Sequence, residues 1–348
     1  MKRLQNVLYI TIADAFLALE GETVLVRREN ADTGKMITAL QLPLHNLEAI
    51  VCFSYLGASP ALMGACADRG IDLSFLTPNG RFLARVVGRV KGNVLLRKKQ
   101  VLVSEDAVES GRLASWFLIG KVANCRKVIE RGLRDHALLV DAAALAHASN
   151  GLREALQRLP GGANADLLGM EGSAAKTYFG VFDQLILQQK EAFFFKERSR
   201  RPPMDNMNAL LSFLYTLLAS EAGSALEAVG LDPYVGFLHQ DRPGRPSLAL
   251  DLMEELRPVF ADRLALSLVN RKQIQTKGFT AQENGGVLMD DETRKKVLSA
   301  WQERKRETII HPYLQEKIEF GLIPYVQALL LARYLRGDLD AYPPFFWN

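Results

Sequence analysis

The stretch Arg81 to Lys99, RFLARVVGRVKGNVLLRKK, is where the chain changes character. Arg81 and Arg85 alternate with apolar residues, as on one face of a sheet, and Phe82 to Val87 is rich in strand formers. After Gly92 the alternation stops and apolar residues recur at helical spacing. Upstream, short strand-like runs cover 8–12, 16–19, 23–28, 36–42, 49–53 and 71–76, with turns at Glu20-Gly21-Glu22 and Pro78-Asn79-Gly80. One helix interrupts them: Pro60 suits a first turn, Leu62, Met63 and Cys66 give an apolar face, and Gly70 ends it. Downstream, helical spacing covers 114–118, 122–129, 137–148, 174–188, 208–219 and 326–335, with breaks at Gly161-Gly162 and Arg201-Pro202-Pro203. The pattern predicts an α+β protein, with a small β-rich domain over 1–91 and a larger, mostly α-helical domain over 92–348.

The length of 348 residues suits two domains. A net charge of +4 permits a polyanionic partner without demanding one. Cys52, Cys66 and Cys125 form no C-x-x-C pair, which argues against a disulfide framework or thiolate zinc site and for buried, reduced thiols. The N-terminus lacks a signal-peptide pattern, and no run approaches the roughly 18 apolar residues of a membrane span, so a cytoplasmic protein without a membrane partner is expected. Gly-rich phosphate motifs and the G-x-S-x-G elbow are absent. Between Arg81 and Lys99 lie seven basic residues and no acidic one, and Lys196, Arg198, Arg200 and Arg201 form a second cluster. Each cluster reads either as a solvated face or as a contact for nucleic-acid phosphates.

Chemistry concentrates in His239 to Pro258, HQDRPGRPSLALDLMEELRP. Ser247 is an N-cap candidate for a helix over about 248–257, closed by Pro258. Asp251 and Glu254 lie about 60° apart around that helix, and Asp251 and Glu255 about 40° apart, so two carboxylates can point together. In a dry cleft they would repel unless a cation sat between them, and a histidine just upstream is a plausible third ligand. Oxygen donors with one imidazole suit Mg²⁺ or Mn²⁺. The plainer reading is a solvent-facing D-x-x-E pair. Spacing alone leaves Glu254 and Glu255 equivalent. Glu171 stands among small residues, GMEGSAA, where a carboxylate can reach into a packed interface or simply favour a helix N-terminus. His45, His136, His147 and His311 read as ordinary surface or core residues, and Phe193-Phe194-Phe195 as core.

Four segments occur in order: EGSAAKTYF from Glu171, NALLSFLY from Asn208, GLDPYVGFLH from Gly230 and RPSLALDLMEEL from Arg245. PLHNLEAIV from Pro43, GRFLAR from Gly80 and GNVLLR from Gly92 accompany them. Together they resemble the CRISPR-associated spacer-acquisition endonuclease, the integrase subunit of prokaryotic adaptive immunity, most closely its type I-C branch. The resemblance implies a homodimer formed largely through the β-domains, two of which flank a dimer of a small companion protein. It implies an enzyme that inserts short DNA duplexes (spacer precursors) into a CRISPR repeat array by attack of a 3′-hydroxyl on a phosphodiester. It places metal ligands at Glu171, His239 and Glu254, which separates Glu254 from Glu255, and makes Asp251 the fourth site residue. Many relatives carry aspartate at the position of Glu254. Lys176, Tyr178 and Asn208 fall in motif positions that contact DNA or support the ligands. Arg81, Arg85, Arg89, Arg198, Arg200, Arg201 and Arg245 are candidates for phosphate contacts.

Two other readings use the same residues differently. One is a metal-dependent nuclease for single-stranded or branched DNA in repair. The other is a silent scaffold that only bridges DNA and proteins, against which the intact set of Glu171, His239, Asp251 and Glu254 argues.

Overall fold

Strands with one apolar face must pair so that those faces share a core, and the N-terminal strands do so in two sheets. The computed structural model describes residues 6–12, 14–30, 33–78, 80–88, 94–159 and 164–347. β1 (Asn6–Ile10) runs parallel to β5 (Leu47–Cys52), β5 runs parallel to β6 (Asp72–Leu76), and β7 (Phe82–Val86) lies antiparallel on β6. Between β1 and β5 in sequence, β2 (Phe16–Glu20), β3 (Thr23–Glu29) and β4 (Met36–Pro43) make an antiparallel sheet of their own. Parallel neighbours cannot be joined by a hairpin, and α1 (Pro60–Arg69) supplies the crossover from β5 to β6. Ser59 accepts the N–H of Leu62, Pro60 sits in the first turn, and Gly70 caps the other end, as the sequence pattern requires. Leu17, Val24, Ile50, Leu62 and Leu73, all fully buried, are the centre of this unit's core.

The chain divides into two compact units, 1–91 with 302–306, and 92–301 with 307–348. The second is mostly helical: α2 (Val94–Glu105), α3 (Ala107–His136), α4 (Ala142–Arg158), α5 (Asn164–Gly180), α6 (Asn206–Ala228), α7 (Ser247–Glu254), α8 (Arg263–Asn270), α9 (Asp291–Arg306, of which 302–306 count with the first unit) and α10 (Ile323–Arg336). Two short hairpins, β8 (Phe279–Ala281) with β9 (Val287–Met289) and β10 (Thr308–Ile310) with β11 (Lys317–Glu319), were not legible in the helical spacing.

Several details differ from the sequence reading: 137–141 precede α4 instead of opening a helix, and α5 ends at Gly180 instead of reaching 188. The segments 114–118 and 122–129 belong to one helix, α3, of 30 residues. Its Gly120 is there for clearance: a Cβ would stand 2.8 Å from Glu255 Cβ and 3.1 Å from Pro344 Cβ. Helix α6 is long and apolar enough to cross a membrane by length and composition, but 61% of its most apolar stretch is buried within the structure, where it is a core helix. Finally, Ser247 is the first residue of α7 rather than its cap, and its hydroxyl donates to the Gln240 carbonyl. The helix ends at Glu254, and Pro258 opens a short π-turn, 258–262, instead of closing the segment. Proline has no N–H to donate, and the backbone re-registers there, with the Arg263 N–H on the Pro258 carbonyl five residues back.

Candidate catalytic site

Helices α3, α5 and α7 each contribute one charged side chain to a single cluster. On α3, Ala114, Leu118, Lys121, Cys125 and Val128 follow one another at alternating spacings of four and three and are all buried, so Lys121 occupies a core position. On α5, Glu171 shares a face with the buried Leu167, Ala174 and Tyr178. On α7, Glu254 is buried. The Lys121 ammonium bonds Glu171 Oε1 and lies 2.7 Å from Glu254 Oε2. Arg257 Nη1 holds Glu254 Oε1 at 2.8 Å, and its guanidinium lies over the Tyr215 ring, 4.9 Å from the centroid.

The charges set one another's protonation. Burial pushes the Glu254 carboxyl up, but Arg257 and Lys121 outweigh it and hold the group at about 2. Burial pushes the Lys121 ammonium down, and the charges of Glu254 and Glu171 outweigh that and raise it. One turn on, Asp262 accepts from the hydroxyls of Tyr178 at 3.0 Å and Tyr215 at 2.6 Å. Burial dominates there and moves its carboxyl up to about 6 despite those bonds.

Asp251 and Glu255 play parts the sequence could not separate from that of Glu254. The Asp251 carboxylate accepts three consecutive backbone N–H groups, of Phe237, Leu238 and His239, and the His239 Nδ1 at 2.6 Å. Gly236 makes the wrap possible: a Cβ there would meet Ser247 Cβ at 2.6 Å and the His239 carbonyl at 2.8 Å. With Nδ1 bonded to a carboxylate, Nε2 is the nitrogen His239 presents, the arrangement that orients an imidazole for a metal. Glu255 turns the other way. It accepts from Tyr342, Gln327 and the Phe345 N–H, so its carboxyl is committed to the C-terminal segment.

Among the described residues no three His, Cys, Asp or Glu side chains stand ready-made as a ligand shell. The Lys121 ammonium takes the position between the Glu171 and Glu254 carboxylates. The donor set nevertheless fits a hard divalent cation. Glu254 Oε2 is buried and faces the Lys121 ammonium at 2.7 Å, so a cation already stands against it. Glu171 is 30% exposed and opens the cluster to solvent. Sequence reasoning missed Lys121 and Arg257. The signal for Lys121 was a lysine in the four-three stripe of α3.

Of the candidate phosphate contacts, Lys176, Arg200, Arg201 and Arg81 are exposed and Arg245 is half-buried. Arg89 lies outside the described residues. Three readings are corrected. Tyr178 is 1% exposed with its hydroxyl on Asp262, so it supports the cluster and has no surface for DNA. Arg198 is turned inward, bonding Asn208 Oδ1 and Ser212 Oγ and lying over the Tyr215 ring. Arg85 is 13% exposed and 3.9 Å from Asp72 on the neighbouring strand, so it does not form an open pair with Arg81. Asn208, fully buried, ties the 197–199 backbone to α6.

The family model described as CRISPR associated protein Cas1 matches residues 8–303. A relative from Rhodospirillum rubrum, named CRISPR-associated endonuclease Cas1 2, is 51% identical over 358 residues, covering 100% of both chains. CRISPR-associated endonuclease Cas1 1 of Chlorobaculum tepidum is 47% identical over 349 residues, again 100% of both. Among solved structures, a casposase bound to integration product superposes with a TM-score of 0.84 at 20% identity, over 99% of this chain and 95% of its own, which is a likeness of fold. On that match over most of its length and those identities, the chain belongs to the CRISPR associated protein Cas1 family.

Proposed function

We propose that the protein is a divalent-metal-dependent DNA endonuclease and integrase that inserts short duplexes into a CRISPR repeat array. One observation carries the reading. Glu171 and Glu254, from distant parts of the chain, converge on one cationic position, the Lys121 ammonium, with the Glu254 carboxylate buried. The names of the full-length relatives, endonucleases, support it, as does the casposase described with an integration product.

Glu171, Glu254 and His239 Nε2 would hold Mg²⁺ or Mn²⁺, which supplies charge for the scissile phosphate and for the oxygens that attack and leave. Asp251 orients His239 and keeps its proton on Nδ1. Arg257 fixes the rotamer of Glu254. The exposed Lys176, Arg200 and Arg201, with Arg245 and Arg81, are suited to phosphate contacts that position the duplex without reading its sequence. Function as a homodimer with a small companion CRISPR-associated dimer completes the proposal.

The test is strand transfer of a short duplex into repeat-containing DNA, with purified protein, its companion subunit and Mn²⁺ or Mg²⁺. Glu171→Ala and His239→Ala should each abolish the product while circular dichroism stays unchanged. Wild-type rates in both would remove these residues from the chemistry.

A further inference from the structure

Both oxygens of Glu254 face cations, but cations of different kinds. Arg257, three residues on in sequence, is a planar group pinned at 2.8 Å from Oε1 and laid against the Tyr215 ring. Lys121 comes from another helix on a flexible stem, its ammonium 2.7 Å from Oε2. A lysine is a mobile point charge, whereas an arginine held on two sides is a fixture. Lys121 also bonds the more exposed Glu171, so the path from its ammonium to solvent runs through the carboxylate the proposed reaction needs.

Two carboxylates brought together away from water require a countercharge. Lys121 provides it. A divalent ion would coordinate Glu254 Oε2 at about 2 Å, against an ammonium now 2.7 Å from the same atom. The two charges cannot share that oxygen, because like charges a few ångströms apart in a low-dielectric site repel strongly. We infer that Lys121 is the resident counter-ion of the metal-free site: a divalent ion binds only by expelling its ammonium, and a DNA phosphate at the mouth of the cluster gives the expelled ammonium its new partner. This rests on the metal reading above and adds a regulation to it. Metal and DNA then bind cooperatively, and the chain without DNA is held metal-poor.

The experiment is Mn²⁺ calorimetry on the full chain, with and without a short DNA duplex, for wild type, Lys121→Met, Lys121→Arg and Glu254→Gln. Without DNA, Lys121→Met should bind Mn²⁺ roughly tenfold or more tighter than wild type, and Lys121→Arg no tighter. DNA should tighten Mn²⁺ binding to wild type and leave Lys121→Met nearly unchanged. Mn²⁺ should also raise the Tm of Lys121→Met further than that of wild type. If Lys121→Met binds Mn²⁺ no better than wild type while Glu254→Gln abolishes binding, Lys121 is not a counter-ion in competition with metal, and the metal site itself stands. If no variant binds Mn²⁺ with or without DNA, the metal reading falls and takes this inference with it. Should Lys121→Met fail to fold, the wild-type arm decides, because a Mn²⁺ affinity that DNA leaves unchanged overturns the proposal.

Discussion

His239 Nδ1 lies 2.6 Å from Asp251 Oδ1, inside a loop whose three successive N–H groups close on the same carboxylate. Asp251 is wholly buried and each of its oxygens is engaged twice, so it acts through His239 and the loop rather than on a substrate. Asp251→Asn would aim an amide NH₂ at backbone donors and leave at least one of them unpaired. A loss of about 3 kcal/mol is expected, read as a urea midpoint shift. His239→Ala removes a partly exposed ring and should cost about 1 kcal/mol or less. Both variants should lose strand transfer. Equal stability for the two would refute the division between a loop organiser and a ligand.

Adjacent glutamates make the second prediction. Glu254→Gln should abolish metal-dependent cleavage, whereas Glu255→Gln should retain its chemistry, since the Glu255 side chain is spent on Tyr342, Gln327 and Phe345. Cleavage assays at saturating Mn²⁺ distinguish them. A Glu255→Gln enzyme as dead as Glu254→Gln would mean that the face of the helix assigned to catalysis is wrong.

How far the sequence reaches is visible in these same residues. Period-two and period-3.6 patterns placed the strands and the change near residue 92 because a half-buried strand and an amphipathic helix write their burial into the chain. Pro60 and Gly70 bounded α1 for equally local reasons. Glu254 and Glu255 stayed equivalent because spacing gives angles on a helix and not what packs opposite each angle. Tyr342 and Phe345, which claim Glu255, are remote in sequence. Lys121 was passed over as an ordinary charge, although its place in the α3 stripe was readable. Arg198 and Arg200 looked alike in a basic run, and only tertiary structure turns one inward.

Stability should vary with pH through the buried carboxyls. Burial lifts Glu255 from 4.5 to about 7, outweighing its donors, and lifts Asp262 from 3.8 to about 6. Each binds its proton more tightly in the folded chain, so folding is favoured while they are protonated and loses stability as pH rises from about 4 to 7. Glu254 has the opposite sign: lowered to about 2, it contributes above pH 4.5 and is lost as pH falls toward 2. Glu255→Gln should flatten the decline between pH 4.5 and 7 by a few kcal/mol at most. Urea midpoints across that range measure it, and parallel profiles for wild type and variant would contradict the assignment.

The C-terminal segment is part of the catalytic unit's core. Asn124 Nδ2 donates to the carbonyls of Glu255 and Phe345 at 2.7 and 2.8 Å, and the Trp347 N–H returns a bond to Asn124 Oδ1. Phe345 is fully buried and Tyr342 is 1% exposed. Deleting 341–348 would strand the Glu255 carboxyl and the Asn124 amide. A loss of about 4 kcal/mol or more is expected, with a lower Tm and a matching loss of cleavage. An unchanged Tm would show that the segment is not held as described.

Arg198 and its neighbours offer a test of which cations touch DNA. A contact with a phosphate releases a counterion, so removing one lowers the slope of log affinity against log salt by roughly 1. Arg200 and Arg201 are exposed, and the double change Arg200→Ala, Arg201→Ala should lower that slope by up to about 2 with Tm unaltered. Arg198 instead bonds Asn208 and Ser212 and lies over Tyr215. Arg198→Ala should therefore leave the slope intact and cost about 2 kcal/mol of stability. Fluorescence anisotropy at several salt concentrations, with parallel denaturation curves, separates the two effects. A flattened slope in Arg198→Ala at full stability would mean that its guanidinium swings out to the duplex, and the inward bonds would then describe only the protein without DNA.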